Sequence, residues 1–117
     1  MRLIYCAGAF SAPTREGIDA NIARAIDVGL EVAALGHMPI IPHANTGDPR
    51  FMAAQRHEFW IEGTLELMTR CDAVVLVPGH EESPGTRGEI AEARRLGIPV
   101  FNDVKTLAAL VPAEERT

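Results

Sequence analysis

The sequence predicts a single α/β domain over residues 1–117, a small doubly wound parallel sheet of the flavodoxin or Rossmann type. About four to five strands are expected, with helices on both faces. Three observations carry this. Short apolar runs alternate with segments of helical period, the pattern of βαβ units. One run, Ala-Val-Val-Leu-Val at 73–77, is apolar throughout, as a central strand covered on both faces requires. The richest loops follow Cys6, Ile41 and Val77, at the carboxyl ends of strands, where such sheets bind ligands.

The elements follow in order. Residues 3–6 form the first strand and run out through Ala7, Gly8 and Ala9. After a loop with Ser11, Pro13 and Gly17, residues 18–35 repeat Ile22, Ala25, Ile26, Gly29, Leu30, Ala33 and Ala34 at helical spacing, and Gly36 ends the helix. Residues 38–41 are a second strand. The turn formers of 42–49, Pro-His-Ala-Asn-Thr-Gly-Asp-Pro, predict a loop. A helix at 59–69 carries Ile61, Leu65 and Met68 on one face, and Asp72 leads into the central strand, where its carboxylate is expected to order the strand's entrance. Residues 78–88 predict a second long loop. A helix at 89–96 ends at Gly97, residues 98–101 are a fourth strand, and Asp103 caps a last helix to about residue 110. A polar tail at 112–117 is expected to fray.

With 117 residues, 47% hydrophobic and 23% charged, the chain has room for one core. The apolar stretches are short, and strand-like Arg2-Leu3-Ile4-Tyr5-Cys6 stands at the start, so neither a signal peptide nor a membrane span is expected and the default location is cytoplasmic. Cys6 and Cys71 adjoin strand runs without CxxC or Cys/His spacing, which favours reduced, buried thiols and implies no metal. The net charge of -5 and scattered cations give no footprint for a nucleic-acid polymer. One small anion remains compatible with an acidic protein.

The stretch SPGTRGE, from Ser83 to Glu89, holds the candidate chemistry. Gly85 and Thr86 can offer backbone N–H groups to a phosphate, the hydroxyls of Ser83 and Thr86 add donors, and Arg87 adds a cation. It is neither a Walker A loop nor GxGxxG. An ordinary capped turn satisfies the same pattern. Glu89, placed near the start of its helix, gains from the macrodipole, which keeps a carboxylate ionised and ready to attack an electrophilic carbon. Taken alone, the position favours a plain dipole-matching Glu over a nucleophile. Tyr5, the chain's one tyrosine, can hold a carboxylate in place from the first strand or be a core aromatic. His43 and His57 frame the second loop together with Phe51 and Trp60, whose rings can stack on a base or cover a pocket. His37 and His80 are expected in turns.

Taken together, Leu-Ile-Tyr-Cys-Ala-Gly at 3–8, the Asn-Ile-Ala-Arg-Ala helix, Ile-Pro-His at 41–43, Arg-Cys-Asp-Ala-Val-Val-Leu-Val-Pro-Gly at 70–79 and Ser83-x-Gly85-x-x-x-Glu89 resemble the nucleoside 2-deoxyribosyltransferase-like superfamily. The similarity is to its small domain-of-unknown-function members related to deoxynucleoside monophosphate N-glycosidases, over nearly the whole chain. The resemblance implies that Glu89 is the nucleophile, that Tyr5 orients it, that Ser83 helps hold a 5′-phosphate and that the chain is a homodimer. Gly8, Gly85, Thr86, Arg87 and His43 would complete the substrate-binding set, with no cofactor. One position departs from the family pattern: the Asp eight residues before the Asp of the Cys-Asp pair is Thr64 here, and a hydroxyl does not deliver a proton as a carboxylic acid does.

The expected activity is therefore cleavage or transfer of the N-glycosidic bond of a nucleoside or nucleoside 5′-monophosphate through a Glu nucleophile. The alternative is a nucleotide-binding or sensing module that lacks the chemistry. A phosphoribohydrolase ranks below both, because the paired glycines of its Pro-Gly-Gly-x-Gly-Thr loop are absent.

Overall fold

A computed structural model describes residues 1–110, so the tail expected at 112–117 lies outside the described residues. Four parallel strands, β1 (Leu3–Ala7), β2 (Met38–Ile40), β3 (Ala73–Leu76) and β4 (Val100–Phe101), form one sheet in the order β2-β1-β3-β4. The fold class is the doubly wound α/β architecture that the alternation of elements predicts. The chain leaves β1 toward β2 and leaves β3 toward β4, so strand order reverses between β1 and β3.

The two-residue period of the strands sorts their side chains into two cores. On one face Ile4, Cys6, Ala73, Val75 and Val77 pack against Ala25, Val28 and Val32 of α1 (Arg15–Ala34) and Leu107 of α6 (Val104–Leu110). On the other, Tyr5, Ala7, Val74 and Leu76 meet Met68 of α4 (His57–Thr69) and Ala93 of α5 (Pro84–Arg95). Cys6 and Cys71 are free and buried, and burial pushes their thiols up, Cys6 to about 12 and Cys71 to about 11. The Asp72 carboxylate orders the entrance of the neighbouring strand β1, not that of the central strand it precedes: the Leu3 N–H donates to its Oδ2 at 2.7 Å.

Two segments expected as loops are helical. Residues 42–49 hold α2 (Pro42–Thr46), and α3 (Pro49–Ala54) follows it. Residues 78–88 hold a 3-10 turn (His80–Glu82) and the first turns of α5. The reason is common to all three α-helices. Pro42, Pro49 and Pro84 stand at or next to the first helical position, where a missing N–H costs nothing and a fixed φ suits the helix. Asp48 caps α3 by accepting from Arg50 N at 2.8 Å, and Ser83 caps α5. α1 likewise starts at Arg15 behind the Thr14 cap, three residues before the expected start. His37, expected in a turn, is buried.

Gly8 follows β1 at the point where strand order reverses. A Cβ there would lie 2.6 Å from Val77 Cβ, so the close approach of the ends of β1 and β3 requires glycine. Among the described residues no helix is long and apolar enough to cross a membrane.

Candidate active site

Tyr5 projects from the middle of β1 into the layer of α4 and α5, fully buried. There its hydroxyl donates to Glu89 Oε2. Burial, then the neighbouring carboxylate, push the phenol far above its ordinary range, so it keeps its proton and serves as a permanent donor. Thr64, on α4, places its hydroxyl against the same phenol and also donates to Ile61 O at 3.0 Å. Thr64 thus faces the Tyr5–Glu89 pair from α4.

Glu89 is the sixth residue of α5, not part of its first turn, because the helix begins at Pro84. The macrodipole fades beyond the first turn, so it does not govern this carboxylate. Burial does, and it pushes the Glu89 pKa up, while the hydrogen bond from Tyr5 pulls it back toward the ionised form. Tyr5 occupies Oε2, and Oε1 makes no hydrogen bond among the described residues. A half-buried carboxylate with one oxygen held and the other free can, in its ionised form, attack an electrophilic carbon.

The SPGTRGE stretch is first of all a helix cap. Ser83 Oγ accepts from Thr86 N at 3.2 Å and from Thr86 Oγ1 at 2.9 Å, and Thr86 is buried. Ser83 O accepts from Arg87 N at 3.1 Å, and Pro84 has no N–H. Gly85 is left as the first-turn amide without a partner among the described residues, so the row of donors expected at Gly85 and Thr86 narrows to one N–H and the Ser83 hydroxyl proton.

His43, buried in α2, sets its Nε2 2.8 Å from Gly8 O. Burial lowers its pKa despite the opposing carbonyls of Gly8 and Ala9, so the ring is neutral and donates, holding the exit of β1. Its ring also lies 6.0 Å from that of Phe10. Phe51 and Phe59 meet the Trp60 indole edge-on at 6.2 and 5.0 Å, and the Trp60 N–H is buried with no acceptor among the described residues. Arg87 stands two residues from Glu89, a turn of roughly 200° around the helix, and lines a separate cleft with His80 and Asn102. The structure thus joins Tyr5 to Glu89, His43 to Gly8 and Ser83 to Thr86, and parts Arg87 from them. Thr64 is the neighbour whose role the side-chain geometry adds: eight residues before Asp72, it meets Tyr5 in space.

The sequence profile of the family described as Domain of unknown function (DUF7768) matches residues 2–103, and the chain belongs to that family. No curated protein matches. A solved structure of a 2-deoxyribosyltransferase from the psychrotolerant bacterium Bacillus psychrosaccharolyticus is similar at 24% identity with a TM-score of 0.60. The match covers 84% of this chain and 69% of that one, and it shows a shared fold.

Proposed function

We propose that this member of the family cleaves the N-glycosidic bond of a nucleoside or nucleoside 5′-monophosphate, with Glu89 as nucleophile and Tyr5 as its positioning residue. The observation that carries the reading is the part-buried Tyr5 to Glu89 hydrogen bond beside the point where strand order reverses. The likeness in fold to a 2-deoxyribosyltransferase supports the same class of substrate.

Glu89 Oε1 attacks C1′ as the C1′–N bond breaks through an oxocarbenium-like state, and the base leaves with the bonding electron pair and takes a proton from solvent. Water then attacks C1′, the ester bond to Glu89 breaks, the carboxylate is restored and the water's remaining proton is released. A second base in place of water makes the reaction a transfer. Tyr5 favours the ionised form of Glu89 for the first step, opposing in part the burial that raises its pKa. In the nucleotide reading the Ser83 hydroxyl and Gly85 N–H hold the 5′-phosphate at the start of α5, Thr86 fixes Ser83, and His43 and Gly8 shape the floor. A homodimer and a cytoplasmic setting belong to the same reading.

Free-base release from 2′-deoxynucleosides and their 5′-monophosphates tests it, with Glu89→Gln alongside. Release that the variant loses supports the reading; equal release by both ends it.

A second reading, a nucleotide-binding module without turnover, is favoured by Thr64. No carboxylic acid faces the leaving base from α4 at that position, and such general-acid help is worth about 10²- to 10⁴-fold. Nucleotide binding with no base release over hours selects this alternative.

A further inference from the structure

Arg87 and Arg94 lie seven residues apart on α5, so both project from one face of the helix, and Glu89 projects from another. Both line a cleft of about 430 Å³ between α5, the 3-10 turn and the end of β4, a size within the usual range for small-molecule pockets. Its apolar lining is Leu76, Ile90 and Ala91, and its polar lining is His80, Glu81 and Asn102 with the two arginines.

The charges there are unspent. The Arg94 guanidinium has no partner among the described residues, and Arg87 reaches only the Glu81 carbonyl, at 3.4 Å. The contrast with Arg95 on the same helix is direct, since Glu92 holds that guanidinium. Two guanidiniums face one carboxylate, Glu81, whose oxygen lies 3.5 Å from His80 Nδ1. The cleft is therefore net positive on a chain whose net charge is -5. Guanidinium forks match the oxygens of a phosphoryl group, and a flanking carboxamide such as that of Asn102 adds a donor.

We infer that this cleft is a second ligand site, separate from the Tyr5–Glu89 pair, that takes a phosphomonoester with an apolar body. The phosphoryl group lies between Arg87 and Arg94 and the body rests on Leu76, Ile90 and Ala91. The inference is independent of the glycosidase reading, since it uses neither Glu89 nor Tyr5.

Calorimetric titration of the full chain with phenyl phosphate, inorganic phosphate and phenol, at constant ionic strength, tests it. Phenyl phosphate binds, more tightly than inorganic phosphate, and phenol does not. Arg87→Ala and Arg94→Ala each weaken phenyl phosphate by about tenfold or more, the loss expected for one charge-assisted contact. Arg95→Ala, an equal change of charge on the same exposed helix, leaves it within about twofold, and Glu89→Gln leaves it unaltered. The inference fails if wild-type protein does not bind phenyl phosphate, if inorganic phosphate binds as tightly, or if Arg95→Ala costs as much as Arg87→Ala. Loss of binding in Glu89→Gln also overturns it, because the ligand would then sit at the glycosidase site.

Discussion

The Tyr5 hydroxyl donates to Glu89 Oε2, joining the first strand to a helix 84 residues further along the chain. A buried phenol and a half-buried carboxylate face each other there, and each shifts the other's protonation. Burial and the Glu89 charge keep the phenol protonated, and the phenol opposes the burial that would protonate Glu89.

Tyr5→Phe removes the one hydrogen bond that lowers the Glu89 pKa and leaves the burial that raises it. The acid limb of the pH profile for base release therefore moves to higher pH, with the secondary structure by circular dichroism unaltered. A limb that stays in place would show that Tyr5 does not set the charge of Glu89.

Glu89→Gln is predicted to stabilise the protein at neutral pH. Burial raises the folded-state pKa of Glu89 above its unfolded value, so the stability linked to this group is full below the unfolded pKa and is lost as pH rises through the folded one. The amide has no charge to desolvate and still accepts from Tyr5. Melting temperature should thus be higher for the variant at about pH 8, and the gap should narrow toward about pH 4. A gap that widens toward acid would contradict the assignment.

Gly8→Ala places a methyl group 2.6 Å from Val77 Cβ, inside any tolerable contact. Overpacking of this kind costs roughly 1–3 kcal/mol, read from urea unfolding. Trimming Val77 to Ala does not relieve it, because the closest approach is to Cβ itself. His43 lies against the Gly8 carbonyl, so the strain reaches the exit of β1.

Ser83→Ala removes the cap of α5 and leaves the buried Thr86 hydroxyl without its acceptor. The expected cost is about 0.5–2 kcal/mol in stability. Affinity for a 5′-monophosphate should fall more than affinity for the matching nucleoside. Equal losses for both would mean that Ser83 serves the helix alone.

The strands were legible because their signal is plain: residues 73–77 are uninterrupted apolar, and Ile4 and Cys6 alternate with Tyr5 and Ala7 between the two cores. Helix starts were legible only in part. Pro42, Pro49 and Pro84 carry two meanings in sequence, turn former and first helical residue, and the neighbouring Gly47, Gly85 and Gly88 weighted the wrong one. That misreading shifted Glu89 from the second turn of α5 to the first and credited the macrodipole with favouring the ionised carboxylate, which Tyr5 does against the burial that raises its pKa. The 200° between Arg87 and Glu89 could have been read from their spacing once the helix was known to include both. The meeting of Thr64 with Tyr5 could not, since it depends on how α4 lies over β1.

The most direct test of the central claim is intact-protein mass spectrometry after incubation with a 2′-fluoro-2′-deoxynucleoside or its 5′-monophosphate, whose electron-poor sugar slows breakdown of a glycosyl ester. The account predicts a mass gain equal to the 2-fluoro sugar or sugar phosphate less one water, located on the peptide containing Glu89 and absent from Glu89→Gln. Base release from the natural deoxynucleotide that proceeds with no adduct, and at full rate in Glu89→Gln, would contradict it.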